Sequence, residues 1–243
     1  MKIKILTIFP EMFRDFINTS IIKRAIQREF VEIEVIDFRN YSKDKSKRVD
    51  DYPYGGGAGM VLMCQPILDC LKDVRNQNSF VLLTSPEGVK FNQTIAKQWS
   101  KKEEIIIICG HYEGYDGRIY DYVDQEVSVG DYILTGGELP AMIITDAITR
   151  LLRGVISDES ILEESFENDL LEYRQYTRPE NYEGMKVPEV LLSGHHENIR
   201  KYRLKEQLKQ TYLRRPDLLE KHNFTKEEEK MMKEIKNELG ELK

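Results

Sequence analysis

Along the first half of the chain, short apolar runs rich in β-branched residues alternate with stretches of helical periodicity. Lys2–Phe9 and Val31–Phe38 alternate apolar and polar positions, as strands do. Phe80–Leu83 and Ile105–Cys109, the latter reading IIIIC, are unbroken apolar runs, the pattern of strands covered on both faces. Helices are predicted near Ser20–Arg28, Gln65–Val74, Asn92–Lys101 and Pro140–Leu152. Together these elements predict an α/β layer fold. Each covered strand leads into a glycine-containing turn, in FVLLTSPEG and IIIICGHYEG, and a third glycine-rich stretch follows in SVGDYILTGGELP. Ligands of open α/β sheets sit beyond the carboxyl ends of strands, so the three turns are expected to converge on one crevice.

Regular patterning fails between Arg153 and Pro188 and returns afterwards as helix, in LLSGHHENIRKYRLKEQLKQTYLRRPDLL. The expected organisation is therefore an α/β domain over residues 1–160, a linker over 161–187 and a small all-helical domain over 188–243. The closing KEEEKMMKEIKNELGELK mixes both charges with few large apolar residues and reads as a solvated terminal helix.

No apolar run approaches the ~18 residues of a membrane span, and Pro10 and Glu11 interrupt the opening segment, so a cytoplasmic protein is expected. Cys64, Cys70 and Cys109 form no CxxC pair and match no histidine spacing, which predicts reduced, mostly buried thiols rather than disulfides or structural zinc. The net charge of −6 conceals basic clusters. Between Arg200 and Arg215 stand seven cations against Glu206 alone, and between Arg39 and Met60 five cations face three acids. With tyrosines at 41, 52, 54, 202 and 212, these stretches suit a polyanion. Charge alone slightly favours the other reading, a solvated helix face.

Which ligand the three turns would take is narrowed by what they lack. YGGGAGM is not the GxGxxG of a dinucleotide fold, no GxxxxGK[ST] is present, and the adjacent His195 and His196 do not make a zinc-protease pair. The pattern specifies no metal site; a divalent ion assisting proton removal is left open. Read together, the strings ILTIFPEMF, VDDYPYGGGAGM, LTSPEG, CGHYEG, SVGDYILTGGELPAM, YTRPENYEGMKVPEVLLSGHH and IRKYRLKEQLKQTYLRRPDLL are specific, running in order to about residue 220. The chain closely resembles the bacterial tRNA (guanine-N1)-methyltransferases of the SPOUT superfamily.

The resemblance implies methyl transfer from S-adenosyl-L-methionine to N1 of the guanosine immediately 3′ of the anticodon. It also implies a homodimer with a shared active site and a SPOUT-type trefoil knot, which periodicity could not have revealed. By similarity, the donor pocket is lined by Leu83, Thr84, Ser85 and Pro86, by Gly110, and by Val129, Gly130, Asp131, Tyr132, Ile133 and Leu134, joined by Gly136, Gly137 and Pro140. Where backbone crowds both backbone and adenosine, a Cβ would occupy ligand volume, which accounts for the glycines. Glu113 matches a position near donor and substrate, where an acid suits a sulfonium; an intersubunit salt bridge is its other reading.

N1 of guanine carries a proton at neutral pH, so a base must remove it while a cation stabilises charge moving to O6. In the family the cation is an arginine that Arg150 matches. The base is an aspartate before a Ser-Phe pair, and here that position is Glu164, one methylene longer. Glutamate has a similar reference pKa, about 4.3 against 3.9, so the difference is one of placement. Asp169 is the reserve candidate. The glycine-rich loop Tyr54, Gly55, Gly56, Gly57, Gly59 and Met60, with Asp50 at its approach, is similar to the loop bordering the target guanine, which must leave its stack to be reached. Arg200, Lys201, Arg203, Arg214 and Arg215 are expected to hold the anticodon stem-loop of tRNA by phosphate contact and shape. A SPOUT ribose 2′-O-methyltransferase and a non-catalytic RNA-binding protein are the alternatives.

Overall fold

Ile105, Ile106, Ile107 and Ile108 are all fully buried, yet they belong to two different cores. They lie on the central strand of a five-stranded sheet, and successive side chains point to opposite faces. Ile105 and Ile107 pack with Trp99, Ala25, Ile144 and Ile148, whereas Ile106 and Ile108 pack with Ile67, Cys70, Phe38 and Ile119. The unbroken apolar run follows directly, since a strand with helices on both faces has no solvated side.

The computed structural model describes residues 1–157, 165–166 and 168–240. The chain divides into two compact units, Met1–Ser157 and the part that follows it. In the first, β1 (Lys2–Thr7), β2 (Glu32–Asp37), β5 (Ser79–Lys90), β6 (Glu104–Ile108) and β7 (Gln125–Ser128) form a parallel sheet in the order β2-β1-β6-β5-β7. Asp50–Asp51 (β3) and Val61–Leu62 (β4) form a separate antiparallel ribbon whose connection is the glycine-rich loop. The helices include α1 (Arg14–Ile17), α2 (Ser20–Gln27), α3 (Cys64–Val74), α4 (Gln93–Trp99) and α5 (Glu138–Thr149). The expected α/β layering and parallel sheet are present.

Several expectations differ in detail. β1 does not alternate but is buried along both faces from Ile3 to Thr7, and Lys4 is admitted because it pairs with buried Glu104 at 3.0 Å. The strand expected to stop at Leu83 continues through TSPEG to Lys90, with an irregular register against β7 between Thr84 and Val89. Gly88 makes that possible, because any Cβ there would strike the backbone of Val127. β7 itself, QEVS, is too short and polar to be recognised by periodicity. α5 begins two residues earlier than predicted, at buried Glu138, an acid suited to the positive end of the helix.

In the second unit the described residues form a two-residue ribbon, Asn181–Tyr182 with Met185–Lys186, and helices that include His196–Arg214 and Lys226–Glu238. The terminal helix is not simply solvated. Met232 and Ile235 are buried against Leu208 and Leu170, and Thr225 with Glu228 forms a capping box at its start. Among the described residues no helix is long and apolar enough to cross a membrane, and all three cysteines are free, Cys70 and Cys109 buried and Cys64 half-buried.

Candidate functional site

At the carboxyl ends of β6 and β7, beside the Thr84–Glu87 stretch within β5, lies a cleft of about 370 Å³. Its walls come from three separated segments: Thr84 to Glu87, Gly110 to Tyr115, and Val127 to Gly137 except Asp131, closed by Tyr120 and Pro140. The three glycine-containing segments therefore converge as expected.

Their convergence is close-packed. The Gly137 N–H donates to the Gly110 carbonyl at 2.7 Å, and His111 pairs as an antiparallel bridge with Gly136. A Cβ on Gly137 would overlap the Thr84 hydroxyl and lie 2.7 Å from the Gly110 nitrogen, and one on Gly110 would lie 2.6 Å from the Tyr115 hydroxyl. His111 Nδ1 lies 2.5 Å from the Thr135 carbonyl oxygen and its ring meets Phe9 edge-on. Behind this wall, Glu138 is buried and accepts from the Thr7 hydroxyl at 2.8 Å, which ties the start of α5 to the end of β1. Burial pushes the Cys109 thiol well above its usual range, so it is an inert packing group.

Most of the residues expected at the donor site line this cleft: Thr84, Ser85, Pro86, Gly110, Glu113, Val129, Gly130, Tyr132, Ile133, Leu134, Gly136, Gly137 and Pro140. Two do not. Leu83 is fully buried in the sheet core, and Asp131 is exposed in an ion pair with Lys90 at 2.8 Å. Sequence reasoning did not single out Glu87, His111, Tyr112, Tyr115, Tyr120 and Thr135, which also line it. His111 and Tyr112 lay within the GHYEG string, whereas Tyr120 carries no local signal.

A model of the family described as tRNA (Guanine-1)-methyltransferase TrmD matches residues 1–221. The chain belongs to this family. A tRNA (guanine-N(1)-)-methyltransferase of Dictyoglomus turgidum is 52% identical over 242 residues, covering 99% of both chains. One from Clostridium botulinum is 54% identical over 241 residues, covering 98% of this chain and all of the relative. A third, from Clostridium tetani, is 54% identical over 233 residues, 95% of this chain and 97% of that one.

The remaining candidates of this TrmD-family chain fall into two groups. In the first unit, Asp50 is paired with Leu62 in the ribbon, and Gly55 and Gly59 hold φ of +88° and +80°, conformations that side chains rarely tolerate. The loop is docked by Met60, whose carbonyl accepts from Glu113 N–H at 2.9 Å, and a Cβ on Gly59 would collide with the Glu113 side chain. Tyr54 is fully exposed beside a second cleft of about 860 Å³, which Tyr52, Gln65, Asp116 and Arg118 also line. Tyr115 is common to both clefts. Arg150 caps the end of α5, its N–H donating to the Asp146 carbonyl at 3.1 Å.

In the second unit, Glu164 lies outside the described residues, and Asp169 is exposed with φ +58°. The basic helix is largely neutralised. Arg200 pairs with Glu227 at 2.7 Å and Glu197 at 2.9 Å, Lys201 with Glu197 at 3.3 Å and Arg215 with Asp217 at 2.7 Å. Arg203 lies over the Tyr173 ring at 4.9 Å. Arg214 is exposed and makes no ion pair among the described residues. Among the described residues no cluster of three His, Cys, Asp or Glu side chains could hold a metal ion.

Proposed function

We propose that this chain, a tRNA (guanine-N1)-methyltransferase, holds S-adenosylmethionine in the cleft at the carboxyl ends of β6 and β7, beside Thr84–Glu87 of β5. There it delivers the methyl group to N1 of the guanosine immediately 3′ of the anticodon. The observation that carries this reading is the Gly110–Gly137 contact, a cradle at a crossing of backbones that any Cβ would fill. Backbone donors and acceptors there suit an adenine edge, and Ile133 and Leu134 supply apolar walls.

The donor supplies an electrophilic methyl on a sulfonium. Glu113, exposed between the cleft and the glycine-rich loop, offers an anion to that charge and supports the loop that meets the guanine. Glu164, or Asp169 in its place, removes the N1 proton, and Arg150 stabilises the charge moving to O6. The second unit holds the anticodon stem-loop by phosphate contact. A SPOUT-type knot agrees with three non-consecutive segments crossing at one cleft. A homodimer agrees with exposed Leu139 and Ile143 on α5 and Met12 on the turn packed against it. The test is incubation with S-adenosylmethionine and a tRNA transcript, followed by nucleoside mapping. 1-Methylguanosine 3′ of the anticodon is expected, whereas a methylated ribose, or binding without transfer, would contradict it.

A further inference from the structure

Tyr115 was singled out by no motif, yet it stands where the two clefts of the first unit meet, lining both. Its backbone is fixed from the side of the glycine-rich loop. Leu62, just after that loop, donates its N–H to the Gly114 carbonyl at 2.9 Å and accepts from Asp116 N–H at 2.9 Å, so Tyr115 is bracketed on β4. Its ring rests edge-on against Tyr120.

The hydroxyl reaches the end of β6 and the middle of β5. It lies 3.0 Å from the Ile108 carbonyl of β6, 3.2 Å from the Thr84 carbonyl of β5 and 3.2 Å from the Thr84 hydroxyl. One phenolic proton serves the two carbonyls, while the Thr84 hydroxyl donates to Ile108 at 3.1 Å and accepts from Gly110 N–H at 3.3 Å. Burial holds the phenol well above its usual pKa, so it remains a donor. Two hydroxyls thus bridge β5, β6 and the Gly110 turn, and the space they fill is the space that a Cβ on Gly110 or Gly137 would need.

We propose that Tyr115 is a positioning residue for methyl transfer, its hydroxyl acting with that of Thr84 as one clamp that sets the width of the donor cleft. It acts through Thr84, whose hydroxyl accepts from Gly110 N–H, to hold the Gly110 backbone against Gly137. The assignment rests on the donor reading above, and the test separates the two.

The test is calorimetric titration of S-adenosylhomocysteine into wild type, Tyr115→Phe, Thr84→Val and the double variant, with KM for donor and for tRNA measured in parallel. Loss of the phenolic hydroxyl removes the donor to the Thr84 carbonyl and leaves the Ile108 carbonyl with the Thr84 hydroxyl alone, and about tenfold weaker binding is expected, with a matching rise in donor KM and no change in tRNA KM. Because the hydroxyls act together, the double variant is expected to bind little worse than either single one. A Tyr115→Phe protein with lowered thermal stability but unchanged donor affinity overturns the proposal, as do losses that simply add. If Tyr115→Phe does not fold, unchanged donor affinity in Thr84→Val overturns it as well. Wild-type protein that fails to bind overturns the donor reading itself, and the clamp with it.

Discussion

Gly137 donates its backbone N–H to the carbonyl of Gly110 at 2.7 Å, so the residue that caps the start of α5 touches the turn that follows β6. The contact leaves no room for a side chain on either residue. Gly137→Ala is expected to cost about 1–3 kcal/mol through overpacking and to weaken donor binding at least about tenfold. Gly117, with no atom within 4 Å of an added Cβ, is the control, and Gly117→Ala should stay within about 0.5 kcal/mol. Thermal unfolding and calorimetry check both; equal effects of the two substitutions would contradict the cradle.

Away from the cleft, Glu104 is buried, ion-paired with Lys4 at 3.0 Å, and hydrogen-bonded by Asn76 at 2.9 Å and by Ser79. Burial alone would raise its pKa, but the hydrogen bonds from Ser79 and Lys4 outweigh it and hold the carboxyl below its ordinary 4.5. The folded carboxyl therefore ionises more readily than the unfolded one. Its contribution is complete above about pH 4.5 and is lost as pH falls through the lowered value. Glu104→Gln should lower the neutral unfolding temperature and flatten the acid limb of the stability curve. An unaltered acid limb would refute the assignment.

The neutralised cations of the His196–Arg214 helix lead to a contrast in RNA binding. Arg214→Ala should weaken tRNA binding and reduce the salt-dependence slope by about 0.7–0.9, the share of one phosphate contact. Arg200→Ala should change the slope less, because Arg200 already pairs with Glu197 and Glu227. Filter binding across a salt series decides, and a steeper loss at Arg200 would reverse the ranking.

For the chemical step, Glu164→Gln should reduce turnover by at least about a hundredfold while donor affinity is kept. Near-normal turnover, with the loss appearing instead in Asp169→Asn, would move the base to Asp169.

How far the sequence reached is visible in particular residues. The IIIIC run specified a doubly covered strand because burial on both faces leaves no polar position, and the three glycine-containing segments line one cleft, although TSPEG lies within β5 rather than past its end. Tyr115 was invisible because its partners, Thr84 and Ile108, lie 31 and 7 positions away and meet it only in the folded sheet. The ion pairs of the basic helix were invisible for the same reason. A local count sees Glu206 but not Glu227, Glu234 and Glu238, which reach Arg200, Lys205 and Lys209 from the terminal helix. Met232 and Ile235 make too narrow a stripe to outweigh the charges around them, so the packing of that helix was missed too.

The central claim, that the glycine-walled cleft holds the methyl donor, is tested most directly by backbone amide NMR during titration with S-adenosylhomocysteine. Saturable shifts centred on Thr84, Gly110, Gly130 and Gly137 are expected. No saturable binding, or shifts confined to the neighbouring cleft around Tyr52 and Arg118, would contradict it.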